Sequence, residues 1–158
     1  MILYLLRHGK ADWLDWKGSD DDRPLNDEGV KEMRIVAAAL NRLKMTPDFI
    51  LSSPLPRALK TAEIVAKELD LPVAEQASLS PGFDRRKCDA LLASQAGADV
   101  VMVGHEPDLS GIVRSLTGGR VKFSKAATAA IEISDDMPGA RILWLFPAKT
   151  LIRLTGKG

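Results

Sequence analysis

Residues 3–10 read LYLLRHGK, an apolar run that ends abruptly in an arginine, a histidine and a glycine. The whole apolar run, residues 1–6, has the length of a buried strand. Strands that are apolar on both faces belong to parallel sheets covered by helices, and such sheets bind ligands beyond the carboxyl ends of their strands. We therefore expect Arg7 and His8 to project into a ligand crevice, where Gly9 lets the backbone approach the bound group.

Two further apolar runs end in a similar way. They lie in the segments DFILSSPLPR, residues 48–57, and DVVMVGHEPD, residues 99–108. The chain has two histidines, His8 and His105, and each follows a run of strand length. Incidental polar residues at strand ends would explain one such ending, but three favour a single anion-binding pocket at one edge of a sheet. The residues expected to meet there are Arg7, His8, Arg57 and His105.

Four short motifs follow one another along the first two thirds of the chain. They are LRHG at 6–9, RPL with the later glycine at 23–29, SSP with the later RA and TA at 52–62, and GHEP at 104–107. In these motifs the sequence resembles the histidine phosphatase superfamily, and most of all its small SixA-like phosphohistidine phosphatases. The last third matches only in general shape.

The resemblance implies a phosphatase that uses His8 as its nucleophile and passes through a phosphohistidine intermediate. Arg7, Arg57 and His105 would bind the phosphoryl oxygens, with Arg23 as a fourth group. An ordinary surface ion pair stays open as the alternative for Arg23. Because arginines would neutralise the phosphate and repel a cation, we expect no cofactor and no metal.

The resemblance does not extend to the general acid. Many relatives carry a glutamate on an inserted segment, whereas the corresponding loop, residues 78–84, has none. Asp84 is the possible general acid, although the match there is poor. A phosphoramidate has a labile P–N bond and needs less acid assistance, so the gap favours a phosphohistidine-bearing protein as substrate. Two alternatives stay open: a phosphomonoesterase for a small phosphorylated metabolite, and a non-catalytic module that binds phosphorylated ligands.

The length of 158 residues predicts one domain, and the resemblance implies that this is a histidine phosphatase domain over residues 1–158. The formal net charge is +1, with 27% charged residues, so no global field would attract nucleic acid or a membrane. The single cysteine, Cys88, and the lack of a signal peptide or long apolar stretch lead us to expect a cytoplasmic enzyme. The oligomeric state is left open.

The order of apolar patterns predicts an α/β fold. We expect a single-domain three-layer sandwich with a mostly parallel central sheet, helices on both faces and an antiparallel edge strand. Helices are predicted over 26–44, from a Ser53 cap onward, over 86–95 and from Pro107 to Gly118. Strands are predicted at 71–75 and in a pair, 130–133 and 142–146, around a turn at 134–139.

The loop over residues 10–26 contains two tryptophans and an acidic run. Long loops in compact domains tend to be functional. Trp13 and Trp16 would either rim the active site or pack on a neighbouring helix, with packing favoured for at least one. The acidic run, residues 20–22, is expected to form a solvated face.

Overall fold

Six strands form one sheet in the computed structural model, which describes residues 1–95, 97–134 and 139–156. The strand order is β3-β2-β4-β1-β5-β6. The first four strands in this order are parallel, and β5 runs antiparallel to both of its neighbours. The strands are β1 (Ile2–Arg7), β2 (Phe49–Ser52), β3 (Val73–Glu75), β4 (Val100–Gly104), β5 (Thr128–Ile133) and β6 (Ala140–Phe146).

The two central strands are apolar on both faces because both faces are covered. Along β1, Leu3 and Leu5 enter one hydrophobic core, while Tyr4 and Leu6 enter the other. The residues of β4 alternate in the same way, and the strand is buried throughout. This is the period-two alternation of a strand sandwiched between two helical layers.

The helices lie on both faces of the sheet, as predicted. They are α1 (Asp27–Arg42), α2 (Pro56–Leu69), α3 (Arg85–Ser94), α4 (Asp108–Thr117) and α5 (Ala148–Leu154), with a short 3₁₀ turn at Ala77–Leu79. Apolar side chains of α1, α2 and α5 fill one core, and those of α3 and α4 fill the other. The three-layer α/β sandwich is therefore confirmed.

Local capping explains where α1 begins and where α4 ends. The Asn26 side chain accepts a hydrogen bond from the Gly29 amide at 2.7 Å, so α1 begins where the sequence predicts. Gly118 ends α4 with a left-handed φ of 74°, a conformation that costs glycine little.

Two details of the predicted elements were wrong. Ser53 does not cap α2, which begins at Pro56 with Leu55 at the cap position. The helix α5 was not predicted, because its seven residues are too few to show a clear helical period. The β5–β6 pair at the sheet edge is antiparallel as predicted, while most of its turn, residues 135–138, lies outside the described residues.

None of the described helices is long and apolar enough to cross a membrane.

Candidate active site

Three strand endings are joined at one edge of the sheet. The last residue of β1, Arg7, stands opposite Gly104 at the end of β4. The His8 amide donates to the Gly104 carbonyl at 3.2 Å, and the Ser53 amide after β2 donates to the Val103 carbonyl at 3.0 Å. Neighbouring parallel strands thus deliver their polar endings to one place, as the sequence predicts.

These endings surround a cavity of about 400 Å³. Pro81, from the loop that precedes α3, also lines it. All five predicted basic groups contribute, while Asp84 is not among the lining residues. The ionisable side chains that line the cavity are Arg7, His8, Asp12, Asp20, Arg23, Arg57, His105, Glu106 and Lys125.

His8 is buried and held in one tautomer. Its Nδ1 lies 2.8 Å from the Gly9 carbonyl, which can only accept, so Nδ1 carries the proton and Nε2 keeps its lone pair. Burial lowers the pKa of His8 to about 3, the Gly9 hydrogen bond opposes this shift, and the neighbouring His105, Arg57 and Arg7 add to it. The imidazole is therefore neutral at neutral pH, with a free nitrogen suited to nucleophilic attack.

His105 lies beside His8 in the lining of the cavity, with 5.3 Å between the ring centroids. Its Nε2 lies 2.8 Å from the Ser53 hydroxyl, while its buried Nδ1 has no hydrogen-bond partner among the described residues. Burial and then Arg57 lower the pKa of His105 to about 4. Ser53, predicted as a helix cap, therefore positions the second histidine.

The guanidinium groups of Arg7 and Arg57 are anchored by backbone carbonyls. Arg7 Nη1 donates to the Phe123 carbonyl at 2.8 Å, and Arg57 Nη1 donates to the Asp20 carbonyl at 2.6 Å. In both arginines the buried Nε has no partner in the described part of the chain. Burial lowers the pKa of each, but arginine stays charged in proteins. Two fixed cations with unused donors are suited to an oxyanion.

Asp20 joins two arginines of the cavity while its side chain stays 69% exposed, so the acidic run is solvated as predicted and only its ion pairs were missed. Its carboxylate accepts from Arg23 Nη2 at 2.7 Å and lies 3.3 Å from Arg57 Nη2. Arg23 also donates from Nη1 to the Ala11 carbonyl at 2.6 Å. Arg23 is therefore both an ion-pair partner and a lining group of the cavity. The sequence signal was the spacing of three residues between Asp20 and Arg23.

Two further carboxylates of the cavity were missed from the sequence. Asp12 forms an ion pair with Lys125, and this hydrogen bond is the main reason why the pKa of Asp12 is lowered. Glu106 Oε1 accepts from the Ser110 hydroxyl at 2.7 Å and from the Phe123 amide at 3.2 Å. Glu106 adjoins His105 and could have been singled out, whereas Lys125 lies 113 residues from Asp12 with no local signal.

The structure does not bring Asp84 to the cavity. Asp84 is the cap residue of α3, and its Oδ1 accepts from the Lys87 amide at 2.9 Å. The preceding loop is held by Asp108, whose Oδ2 accepts from the Gly82 and Phe83 amides at 2.8 and 3.1 Å. The side chain predicted as a possible general acid is therefore a helix cap.

The two tryptophans bond to their own loop. Trp13 Nε1 donates to the Pro24 carbonyl at 2.9 Å, and Trp16 Nε1 donates to the Ser19 carbonyl at 2.8 Å. The two residues are 42% and 38% exposed, and neither is among the residues that line the cavity. The packing of at least one of them on a neighbouring helix stays a prediction.

Comparisons with known proteins agree with this geometry. The family model of the histidine phosphatase superfamily (branch 1) matches residues 3–80. The phosphohistidine phosphatase SixA of Escherichia coli strain K12 is 31% identical over 146 residues, which cover 88% of this chain and 89% of SixA. An uncharacterized protein of Picosynechococcus sp. is 38% identical over 138 residues, covering 80% of this chain and 81% of that protein.

The chain therefore belongs to the histidine phosphatase superfamily, and it is a phosphatase of the hydrolase class. The solved structure of the protein histidine phosphatase SixA complexed with tungstate superposes with a TM-score of 0.85 at 29% identity, covering 96% of this chain and 99% of that one. Within the superfamily the protein is SixA-like.

Proposed function

We propose that this phosphatase removes phosphate from phosphohistidine in a protein, using His8 as the nucleophile. The observation that carries the proposal is the state of His8. Its imidazole is neutral, with Nδ1 bonded to the Gly9 carbonyl and the other nitrogen free, in a cavity lined by two fixed arginines. A neutral nitrogen beside permanent cations is the arrangement that a nucleophilic attack on a phosphate requires.

In the first step, Nε2 of His8 attacks phosphorus, and the bond between phosphorus and the substrate's imidazole breaks. The equatorial oxygens gain hydrogen bonds from Arg7, Arg57 and the neutral His105, with Arg23 at the side of the cavity. Phosphorylated His8 becomes cationic, and the Gly9 carbonyl at Nδ1 stabilises that charge. The leaving imidazole takes up a proton from solvent water.

In the second step, water attacks the phosphorus atom on His8, the P–N bond breaks, and inorganic phosphate leaves. Asp12 lines the cavity, and its lowered pKa keeps its carboxylate ionised, so it is available to accept a proton from the attacking water, although the same lowering makes it a weak base. For the same reason Asp12 is poorly suited to protonate a leaving group.

The choice of substrate rests on the leaving group. Asp84 caps a helix, and Asp12 is ionised. The other carboxylates that line the cavity already accept hydrogen bonds, Asp20 from Arg23 and Glu106 from Ser110 and the Phe123 amide, so none of the four is placed as a free acid for an alkoxide. A phosphohistidine leaves as an imidazole from a labile P–N bond and needs less assistance. The similarity to SixA, which is named a phosphohistidine phosphatase, supports the same choice.

The test offers the purified protein a phosphohistidine-bearing protein, an aryl phosphate and a sugar phosphate. Without a strong acid, each pKa unit of the leaving group is expected to cost up to about tenfold in rate. Phosphohistidine and the aryl ester should therefore turn over far faster than the sugar phosphate. Alkaline quenching should trap phosphate on His8, and His8→Ala should remove both the label and the turnover. A sugar phosphate hydrolysed as fast as phosphohistidine, or label on Ser53 or Cys88, would contradict the proposal.

A further inference from the structure

A second cavity, of about 540 Å³, lies beside the catalytic one. Its lining includes the apolar groups of Pro147 and Ala148 and a single carboxylate, that of Glu32. Lys125 lines both cavities, so the two lie next to each other at this residue. We call it the lysine cavity, after the four lysines that line it: Lys10, Lys122, Lys125 and Lys149.

Two of these lysines are already neutralised. Lys10 lies 2.5 Å from Glu28 and 3.0 Å from Glu32, and Lys125 is paired with Asp12. The other two, Lys122 and Lys149, are exposed and form no ion pair with any described residue. The chain as a whole carries a net charge of only +1, so this excess of positive charge is local.

The segment between the two cavities is tied to the catalytic residues. Phe123, which is fully buried, accepts from Arg7 through its carbonyl and donates to Glu106 through its amide. The Ala126 amide donates to the His8 carbonyl at 3.1 Å. The backbone at Lys122 and Lys125, which adjoin these anchored residues in the sequence, is therefore held in place relative to His8.

We propose that the lysine cavity binds acidic side chains next to the phosphohistidine of the protein substrate. This inference rests on the proposed function, since only a polypeptide substrate has flanking residues. The unpaired ammonium groups come from separate segments, around Lys122 and Lys149, which suits several spaced carboxylates better than one compact anion. The apolar surface of Pro147 and Ala148 suits the methylene groups of glutamate side chains.

The test compares two synthetic phosphohistidine peptides of equal length. One carries three glutamates beside the phosphohistidine, and the other carries three glutamines. We expect the wild-type protein to hydrolyse the glutamate peptide with a kcat/KM roughly fivefold to tenfold higher, mainly through a lower KM. The preference should fall as salt is raised, because the lysines are exposed.

The variant Lys122→Glu/Lys149→Glu should lose this preference while hydrolysing the glutamine peptide and p-nitrophenyl phosphate as the wild type does. The matched control is Arg34→Glu/Lys67→Glu, which changes the charge equally in a different cavity between α1 and α2 and should keep the preference. Equal hydrolysis of both peptides by the wild type would overturn the inference and leave the proposed function intact. Turnover of p-nitrophenyl phosphate with neither peptide hydrolysed would overturn both.

Discussion

The depressed pKa values of the two histidines link protonation to stability. His8 is neutral in the folded protein down to a pKa of about 3, whereas an unfolded histidine titrates near 6.5. As the pH falls below 6.5, the unfolded chain binds the proton first, so the free energy of unfolding falls until the folded pKa is reached. His105, with a pKa of about 4, acts in the same direction.

We therefore predict that wild-type protein loses more stability on acidification than His8→Asn. Between pH 7.5 and pH 5.0 the difference should be about 2 kcal/mol, since each pH unit below 6.5 costs about 1.4 kcal/mol per buried histidine. Urea unfolding at the two pH values measures it. Identical losses for both proteins would mean that His8 titrates normally.

The residues of the site differ in what sets their position. Arg7, His8 and His105 could be predicted because each stands at or just beyond a strand end, where backbone topology alone sets the direction. The pairing of Asp12 with Lys125 could not, because it joins positions 113 residues apart through exposed side chains. Likewise, the bond from Arg57 to the Asp20 carbonyl depends on the path of a loop, for which no periodic pattern exists.

At the scale of the elements, two substitutions of Asp84 at the start of α3 distinguish a helix-capping role from a catalytic one. Asp84 accepts from the Lys87 amide at the exposed start of this helix. Asp84→Ala removes the acceptor and should destabilise the protein by about 1 kcal/mol, whereas Asp84→Asn keeps a capping side chain and should cost little. Urea unfolding and kcat/KM of each variant test this, and turnover should be unchanged in both. A large loss of ester hydrolysis in both variants, with phosphohistidine hydrolysis kept, would restore Asp84 as an acid.

The elements themselves were predictable where one periodic pattern covers enough residues. The stripe of α1 and the apolar run of β4 met that condition. The start of α2 was misplaced because Ser53 has the chemistry of a cap, yet its hydroxyl lies 2.8 Å from His105 Nε2. The glycine at position 29 is explained only by the fold, because a Cβ there would clash with the Lys10 carbonyl oxygen. A side chain at this position would separate α1 from the loop that follows β1.

At the scale of the whole molecule, the fold brings basic side chains from distant parts of the sequence to one cavity, which the net charge of the chain does not reveal. The chain is almost neutral overall, yet Arg7, Arg23, Arg57 and Lys125 line one cavity. The carboxylates beside them already accept hydrogen bonds: Asp20 from Arg23, and Glu106 from Ser110 and the Phe123 amide. The cavity is therefore organised to receive an anion.

We predict that turnover needs no added divalent metal, because the arginines already supply the positive charge that a metal would bring to the phosphate. Among the described residues, no three histidine, cysteine or carboxylate side chains are grouped to hold a metal ion. Phosphohistidine hydrolysis after EDTA treatment should stay within about twofold of the untreated rate, and added Mg²⁺ or Mn²⁺ should not raise it.

Arg57→Ala should lower kcat by on the order of 100-fold, about 3 kcal/mol, by analogy with the removal of an oxyanion donor. A loss after EDTA that Mg²⁺ restores would mean that a metal, and not Arg7 with Arg57, neutralises the transferred phosphate.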